Sequence, residues 1–342
     1  MNMEKVAQGF ELVVENITKL SEKLDTDFYD AFVEQNAAFL DGTDQGIVEL
    51  SVNNDKLRQL NLSNKEWQKL FQFVLLKGSQ VAPLQANHAM TPDAIGLIFN
   101  FIIEHLNKNS ELRLIEFGSG MGNLAETLLV NLNKKVDYVG FEVDDLLLDL
   151  SASMAEIMGS YAEFMQIDAV QKRLMEPADV VVSDLPIGFY PDDEVAKNFE
   201  VAATDGHTFA HHLLIEQSFN YLKDGAFAVF LAPEDLLTSV QGPLLKEWIS
   251  QHGSIMAVIT LPSSLFNADA KAIYVLKKGP AAHVTFAHPL SSLTDRESLE
   301  IFMEEFTKTV KIISKNKKLL ASLSVIFYCI KSLKMQTLFI CN

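Results

Sequence analysis

Three glycines at alternate positions follow a short apolar run, and they constrain the fold of this chain more than any other feature. The run 112–117 leads into Gly118, Gly120 and Gly122, after which a helical pattern begins. Glycine permits positive φ and a close approach of the backbone to a ligand. A helix that starts here presents unpaired N–H groups to that ligand. The pattern therefore predicts a strand, a turn and a helix around a nucleotide-like ligand, although a plain tight turn or an NAD site has the same signature.

From about residue 85, short β-rich runs alternate with helical stretches. This alternation predicts an α/β fold, with a mostly parallel sheet covered by helices on both faces. In such a sheet, ligands bind at the carboxyl ends of the strands. We place seven strands near 112–117, 136–142, 161–167, 178–183, 225–232, 254–260 and 271–277. Helices fit between them, for example at 91–107, 122–132 and 208–222.

The first part of the chain has a helical pattern and no strand alternation. Val13, Ile17 and Leu20 recur at helical spacing, and Ser63 with Glu66 forms a capping-box signature. We therefore predict three parts along the chain. They are a helical N-terminal domain at 1–84, a Rossmann-like α/β domain at 85–285 and a helical C-terminal extension at 286–342.

The last 30 or so residues differ in composition from the rest. Residues 311–342 contain six lysines and no acid, and they hold both cysteines, Cys329 and Cys341. Their apolar run is shorter than the roughly 20 residues that span a bilayer. A terminal helix docked on the body and a non-native tail from a reading-frame change both fit. The joint shift in charge and cysteine use favours the tail, beginning at about residue 314.

Charge and cysteine content limit the class of partner. The formal net charge is −17 and the pI about 4.9, so the average surface repels phosphate. We see no signal pattern and no membrane span, and the segment before the tail lacks cysteine. These features predict a cytoplasmic protein. We also predict no metal site, since the body of the chain has no cysteine to bind zinc.

Two acids follow the next two predicted strands. Glu142 ends the second strand and suits the hydroxyls of a ribose. Asp168 ends the third strand, where S-adenosylmethionine (SAM) enzymes use an acid to accept a hydrogen bond from the adenine amino group. The third glycine of a dinucleotide fingerprint would fall on Asn123, which weakens the NAD interpretation. An NAD enzyme would also need a catalytic side chain, and we expect His207, His211 and His212 to be solvated or capping residues.

The fourth predicted strand runs into a proline-stiffened loop, Ser183-Asp184-Leu185-Pro186. A polar residue at a buried strand end, followed by such a loop, directs a side chain into the cleft. Together with Glu116-x-Gly-x-Gly-x-Gly, Glu142 and Asp168, this order resembles the N6-adenine DNA methyltransferases. It is most similar to the modification subunits of type I restriction systems, and among them to the small stand-alone YtxK-like branch.

Three further segments carry the resemblance, which covers residues 80–280. Thr91-Pro92 resembles the SAM-contacting loop before the first strand. The segment 209–225 resembles the helix and turn before the fifth strand, and Val258–Phe266 resembles the family's Ile-x-Leu-Pro-x-x-Leu-Phe segment. The resemblance implies a class I methyltransferase fold with a seven-stranded sheet and SAM as cofactor.

The resemblance also implies roles for individual residues. Asp184, with Leu185 and Pro186, would be catalytic by accepting hydrogen bonds from an exocyclic amine. The residues implied to bind the cofactor are Thr91, Glu116, Gly118, Ser119, Gly120, Gly122, Asn123, Glu142, Asp168 and Asp184. Adenine in DNA would be the acceptor, with RNA or protein as alternatives. A protein partner would supply target recognition, because the chain shows no separate recognition domain.

Two positions depart from the family's Asn/Asp-Pro-Pro-Tyr/Phe motif. Leu185 replaces the first proline, and Ile187 replaces the aromatic residue that stacks on a flipped-out adenine. Phe189 or Tyr190 would then be the substitute aromatic, with Ile187 beside it in the acceptor site. A SAM-binding module without activity on DNA remains an alternative.

Overall fold

The computed structural model describes residues 1–83, 90–266, 270–280 and 285–311. The tail after residue 314, and thus the choice between docked helix and non-native tail, lies outside the described residues. Among the described residues, no helix has the length and apolarity to cross a bilayer.

Four helices lead into the sheet. They are α1 (Met3–Leu24), α2 (Phe28–Asp41), α3 (Val48–Gln59) and α4 (Asn64–Val81). The capping box predicted from Ser63 and Glu66 is confirmed, because the Ser63 N–H donates to Glu66 Oε2 at 2.9 Å. The same carboxylate also accepts a bond from the N–H of Asn2 at 2.6 Å, so one acid fastens the starts of α1 and α4 together.

Eight strands form a single mixed sheet. They are β1 (Glu111–Phe117), β2 (Lys135–Glu142), β3 (Ala162–Gln166), β4 (Ala178–Asp184), β5 (Leu222–Pro233), β6 (Gly253–Thr260), β7 (Lys271–Lys278) and β8 (Phe286–Pro289). Their order across the sheet is β3-β2-β1-β4-β5-β7-β6-β8. Only β7 is antiparallel to its neighbours, so the predicted mostly parallel sheet is confirmed.

The strand count corrects the prediction of seven. The additional strand, β8, pairs in parallel with β6 over four residues, at a point where we had expected a helical extension to begin. Four residues that end on a proline give no usable alternation in the sequence. The strand exists because the outer edge of β6 offers unpaired backbone groups for it to bond. The helical part of this extension follows, as α11 at residues 296–311.

Helices cover both faces of the sheet. The remaining ones are α5 (Asp93–Leu106), α6 (Asn123–Asn131), α7 (Asp145–Ile157), α8 (Asp193–Ala196), α9 (Ala210–Tyr221) and α10 (Gly242–His252). On β4, Val180 and Val182 pack in the core beneath α5 and α6, whereas Val181 faces the core beneath α9 and α10. This alternation within one buried strand places the sheet between two apolar layers.

The N-terminal helices share a core with the α/β part. Leu147, Leu150 and Met154 of α7 pack in the same apolar cluster as Phe32 and Phe71 of α2 and α4. The helical lead-in therefore packs on α7, the helix that connects β2 to β3.

Candidate active site

The glycine loop joins β1 to α6 at the carboxyl edge of the sheet. Gly118 and Gly120 have φ of +64° and +54°, and a Cβ added at either would meet nothing within 4 Å. They are thus required by backbone conformation, and they border open space that suits a ligand. At Gly122 a Cβ would lie 2.8 Å from the Ser151 Cβ on α7, so this glycine permits the close packing of the two helices.

Glu116 lies beneath this loop and is 2% exposed. The Tyr138 hydroxyl donates to its Oε2 at 2.8 Å. Burial raises the pKa of Glu116 to about 8, with the nearby carboxylates of Asp184 and Glu142 adding to the shift and the Tyr138 hydrogen bond opposing it. The side chain is therefore protonated at neutral pH, and a cationic ligand placed nearby would favour its ionised form.

Glu142 at the end of β2 turns toward the glycine loop. Its Oε2 accepts from the Gly120 N–H at 2.8 Å, and its Oε1 accepts from the N–H groups of Val143 at 2.8 Å and Asp144 at 3.1 Å. The structure thus brings together the glycines and the acid predicted to bind the ribose. The bonds hold the loop against the end of β2.

Asp168 follows β3 and is bonded on both oxygens. Its Oδ1 accepts from the Val170 N–H at 3.0 Å, and its Oδ2 accepts from the Tyr190 hydroxyl at 2.6 Å. Tyr190 is 8% exposed, and a buried phenol needs such a partner. Burial, together with Asp168, raises the pKa of Tyr190 well above its usual range. The structure therefore places Tyr190 against Asp168 and not on the open side of the cleft.

Asp184 ends β4 and is the meeting point of three elements. Thr91 Oγ1, from the loop before α5, donates to its Oδ2 at 3.0 Å. Lys271 Nζ lies 2.8 Å from its Oδ1. The Leu185 N–H donates to the Leu231 carbonyl at 2.9 Å, which continues the β4–β5 ladder one residue beyond Asp184.

Lys271 is a site residue that the sequence analysis missed. It is the first residue of β7, and because that strand runs antiparallel to β5, its beginning lies at the carboxyl edge of the parallel strands. The available signal was a lysine at the start of a predicted strand. That signal points to the cleft only when the strand's direction is known.

The loop after Pro186 presents the most open side chains of the site. Ile187 is 44% exposed and Phe189 is 56% exposed. The Phe189 ring stacks on Phe209 with centroids 4.8 Å apart and an interplanar angle of 3°, and Phe209 in turn stacks on His211 at 5.0 Å. One face of the Phe189 ring is therefore supported by Phe209, and the rest of the ring is exposed to solvent.

The histidines differ from the expectation. His207 is exposed and lies 2.9 Å from Asp193, but His211 and His212 are 4% and 0% exposed, so the prediction of solvated or capping residues is wrong for these two. They lie on the inward side of α9. Burial lowers the pKa of His211 to about 4 and that of His212 to about 3, which leaves both rings uncharged at neutral pH. In the part of the chain that the structure describes, no group of three or more His, Cys, Asp or Glu is placed to hold a metal ion.

Comparison with known proteins gives close relatives. No protein-family profile matches the chain. YtxK of Bacillus subtilis, which is itself uncharacterised, is 34% identical over 275 residues, covering 78% of this chain and 83% of YtxK. The crystal structure of a candidate class I SAM-dependent methyltransferase from Listeria monocytogenes superposes with a TM-score of 0.83 at 30% identity. It covers 90% of this chain and 100% of the Listeria chain.

A more distant structure shares the fold alone. The methyltransferase subunit of the type I restriction-modification system from Streptococcus thermophilus has a TM-score of 0.63 at 13% identity, covering 75% of this chain and 61% of the subunit.

The strand order, the glycine loop and the acids at successive strand ends define a class I SAM-dependent methyltransferase, and SAM is its cofactor. Within that class, the chain belongs to the family of YtxK and the Listeria protein.

Proposed function

We propose that this enzyme methylates an exocyclic amino group, and that N6 of adenine in DNA is the first candidate acceptor. The observation that carries the proposal is the position of Asp184-Leu185-Pro186, at the end of β4 beside the SAM loop. Asp184 lies at the carboxyl edge, between Thr91 and Lys271. A carboxylate at this point can accept hydrogen bonds from an amine that approaches from the open side.

The residues present fit SAM. Open space borders Gly118 and Gly120, Glu142 and Asp168 lie at the next two strand ends, and Glu116 can supply a negative charge to a cationic ligand. We propose that Glu142 binds the ribose, that Asp168 binds the adenine amino group, and that Thr91, Ser119 and Asn123 complete the cofactor site. SAM supplies an electrophilic methyl group on its sulfonium.

The residues of the chain would act mainly by orientation. Asp184 Oδ1 or Oδ2 and the Leu185 carbonyl would accept hydrogen bonds from the acceptor's amine, which localises the nitrogen lone pair and aims it at the methyl group. When bound, SAM would supply the methyl group by breaking its sulfonium–carbon bond to leave a neutral thioether, while the acceptor nitrogen would form the new bond and release one proton to solvent. Holding two reactants in line supplies much of the rate in such a displacement.

Phe189 is the aromatic side chain best placed to stack on a planar acceptor. Ile187 occupies the position of the family's stacking residue but has no π-face, and Tyr190 is bonded to Asp168. The exposed Phe189 ring, supported by Phe209, is the remaining aromatic of the loop. Base–aromatic stacking contributes about 1–3 kcal/mol per base.

A second candidate acceptor, the side-chain nitrogen of a protein, is favoured by the charge around the cleft. Near the carboxyl ends of β1 to β5, the described segments 118–122, 143–144, 167–168, 185–209 and 234–241 hold nine acids and one base, Lys197, and Lys271 at the start of β7 adds a second base. The acids are Asp144, Asp168, Asp192, Asp193, Glu194, Glu200, Asp205, Glu234 and Asp235. Such an edge repels a phosphate backbone. If DNA is the acceptor, we propose that a basic protein partner brings it to the site.

Labelling identifies the acceptor. The purified full chain is incubated with methyl-labelled SAM and cell lysate fractions, which are then digested with DNase, RNase or protease. Label released only by DNase supports adenine in DNA, and its position at N6 follows from nucleoside analysis. Label released only by protease or only by RNase replaces DNA with the corresponding acceptor class. SAM binding without any labelled product would support a binding module without transferase activity.

A further inference from the structure

A chain of buried polar side chains joins the N-terminal helices to the SAM loop. Gln72 lies on α4 and is 3% exposed. Its Nε2 donates to Asp93 Oδ1 at 2.5 Å and to Asn123 Oδ1 at 3.1 Å. Asp93 is the first residue of α5 and Asn123 is the first residue of α6. One amide from the helical lead-in therefore fastens the starts of both helices that flank the cofactor side of the cleft.

The same chain continues to the catalytic carboxylate. The Asn123 amide donates to the Thr91 carbonyl, and the Thr91 hydroxyl donates to Asp184 Oδ2 at 3.0 Å. Three hydrogen bonds thus separate Gln72 from Asp184. Lys69, one turn earlier on α4, donates to Gln72 Oε1 at 3.1 Å. This bond to the amide oxygen fixes the orientation of the amide nitrogen.

The arrangement is more specific than a helical cover requires. Burial of apolar side chains alone would hold α4 against its neighbouring helices, whereas a buried amide stabilises the fold only if its donors and acceptors are bonded. Gly118, Gly120 and Gly122 have no side chains with which to fix their own loop. The first turn of α6 and the segment before α5 must therefore be held by neighbours, and Gln72 bonds to both.

We propose that Gln72 is a positioning residue for SAM, so that the N-terminal helices are part of the cofactor site and not only a cover for α6 and α7. Gln72 acts through Asn123 and Thr91, which it holds in the arrangement that the cofactor meets. The proposal rests on the SAM site described above. Preorganisation of this kind lowers the ordering cost of binding, so its loss weakens affinity.

Two matched variants test the proposal. Gln72→Met keeps the side-chain volume and removes the hydrogen-bond donors. Gln68→Met removes a comparable buried hydrogen bond between α4 and α6. Gln68 Nε2 donates to Thr127 Oγ1 at 2.9 Å, one turn further along α6. Calorimetric titration of SAM into the full chain should give a Kd about tenfold weaker for Gln72→Met, since the buried Asn123 and the partly exposed Asp93 both lose a donor. The Kd of Gln68→Met should stay within about twofold of wild type.

The outcomes separate this inference from the proposed function. A wild-type chain that binds no SAM overturns both. A wild-type chain that binds SAM, with Gln72→Met unchanged or with both variants weakened equally, overturns the positioning role alone. Should Gln72→Met fail to fold, the partly exposed Lys69→Met replaces it. That variant should weaken SAM binding about two- to threefold, and an unchanged Kd would overturn the role.

Discussion

The proposed cofactor end and the proposed acceptor end of the cleft differ in how completely hydrogen bonds and packing hold their side chains. At the cofactor end, Glu142 accepts three backbone hydrogen bonds, Asp168 is bonded to Tyr190, and Asn123 is fixed by Gln72. At the acceptor end, Ile187 and Phe189 remain about half exposed. A site for one constant ligand can be built in advance, whereas a surface left open suits an acceptor that is large or is brought by a partner.

The largest expected effect is at Asp184, where the two ends meet. Asp184→Ala should lower kcat by at least about 100-fold, because the acceptor amine loses its oriented partner. The Kd for SAM should stay within about threefold of wild type. Single-turnover transfer and calorimetry measure the two quantities, with Asp193→Ala at the start of α8 as the control. Retained transfer would remove Asp184 from the catalytic role.

Phe189 and Tyr190 are adjacent in the chain, but we expect Phe189 to act on the acceptor and Tyr190 to act on the cofactor site through Asp168. Phe189→Ala should raise KM for an adenine-containing single-stranded oligonucleotide about 10- to 100-fold, through the lost stacking energy. Tyr190→Phe should leave that KM unchanged and weaken SAM binding a few-fold, because Asp168 loses a hydrogen-bond donor. Steady-state kinetics, with each substrate varied in turn, measure both effects. A KM for the oligonucleotide that rises in Tyr190→Phe and not in Phe189→Ala would show that Tyr190 faces the acceptor.

Glu116 makes the cofactor end sensitive to pH. Its pKa is raised to about 8, so at pH 6–7 the binding of cationic SAM must release a proton from it. The apparent affinity should therefore rise with pH by up to about tenfold per unit and level off above pH 8. Calorimetry in two buffers of different ionisation enthalpy detects the released proton. In Glu116→Gln both the slope and the proton release should disappear.

The same carboxyl should affect stability without ligand. At this carboxyl the folded state binds more protons than the unfolded state between about pH 4.5 and 8, so its contribution to the free energy of unfolding falls as pH rises, by at most about 1.4 kcal/mol per unit. Glu116→Gln should flatten this dependence. A difference in the free energy of unfolding between wild type and Glu116→Gln that stays constant across the window would contradict the raised pKa.

The smallest expected effect lies away from both ends, at the capping box that starts α4. Hydrogen bonds from the backbone of Ser63 and Asn2 lower the pKa of Glu66 to about 2. The stabilisation is therefore complete above about pH 4.5 and is lost as pH falls toward 2. Glu66→Gln should lower Tm by a few degrees at neutral pH and leave SAM affinity unchanged. Equal Tm values for the variant and wild type at pH 7 would contradict this role.

The sequence predicted much of the fold because buried parallel strands are short, apolar and bounded by turns. The seven predicted strands are all present, and Glu116, Glu142, Asp168 and Asp184 lie at the ends of or directly after β1 to β4. The strand β8 was missed because its four residues have no periodicity of their own. Lys271 and Gln72 were missed because a lysine and a glutamine carry no signal until the direction of β7 and the packing of α4 are known.

Local pattern by itself determined that glycines, acids and a proline-stiffened loop would meet at one edge of a sheet, since that follows from parallel strands and their order along the chain. Tertiary structure alone decided which of these groups face a ligand and which face each other. Tyr190 turned to Asp168 because a buried hydroxyl needs a partner. Phe209 stacks on one face of the Phe189 ring, and the rest of that ring remains exposed. Glu116 holds a proton because the folded protein removes its carboxyl from water.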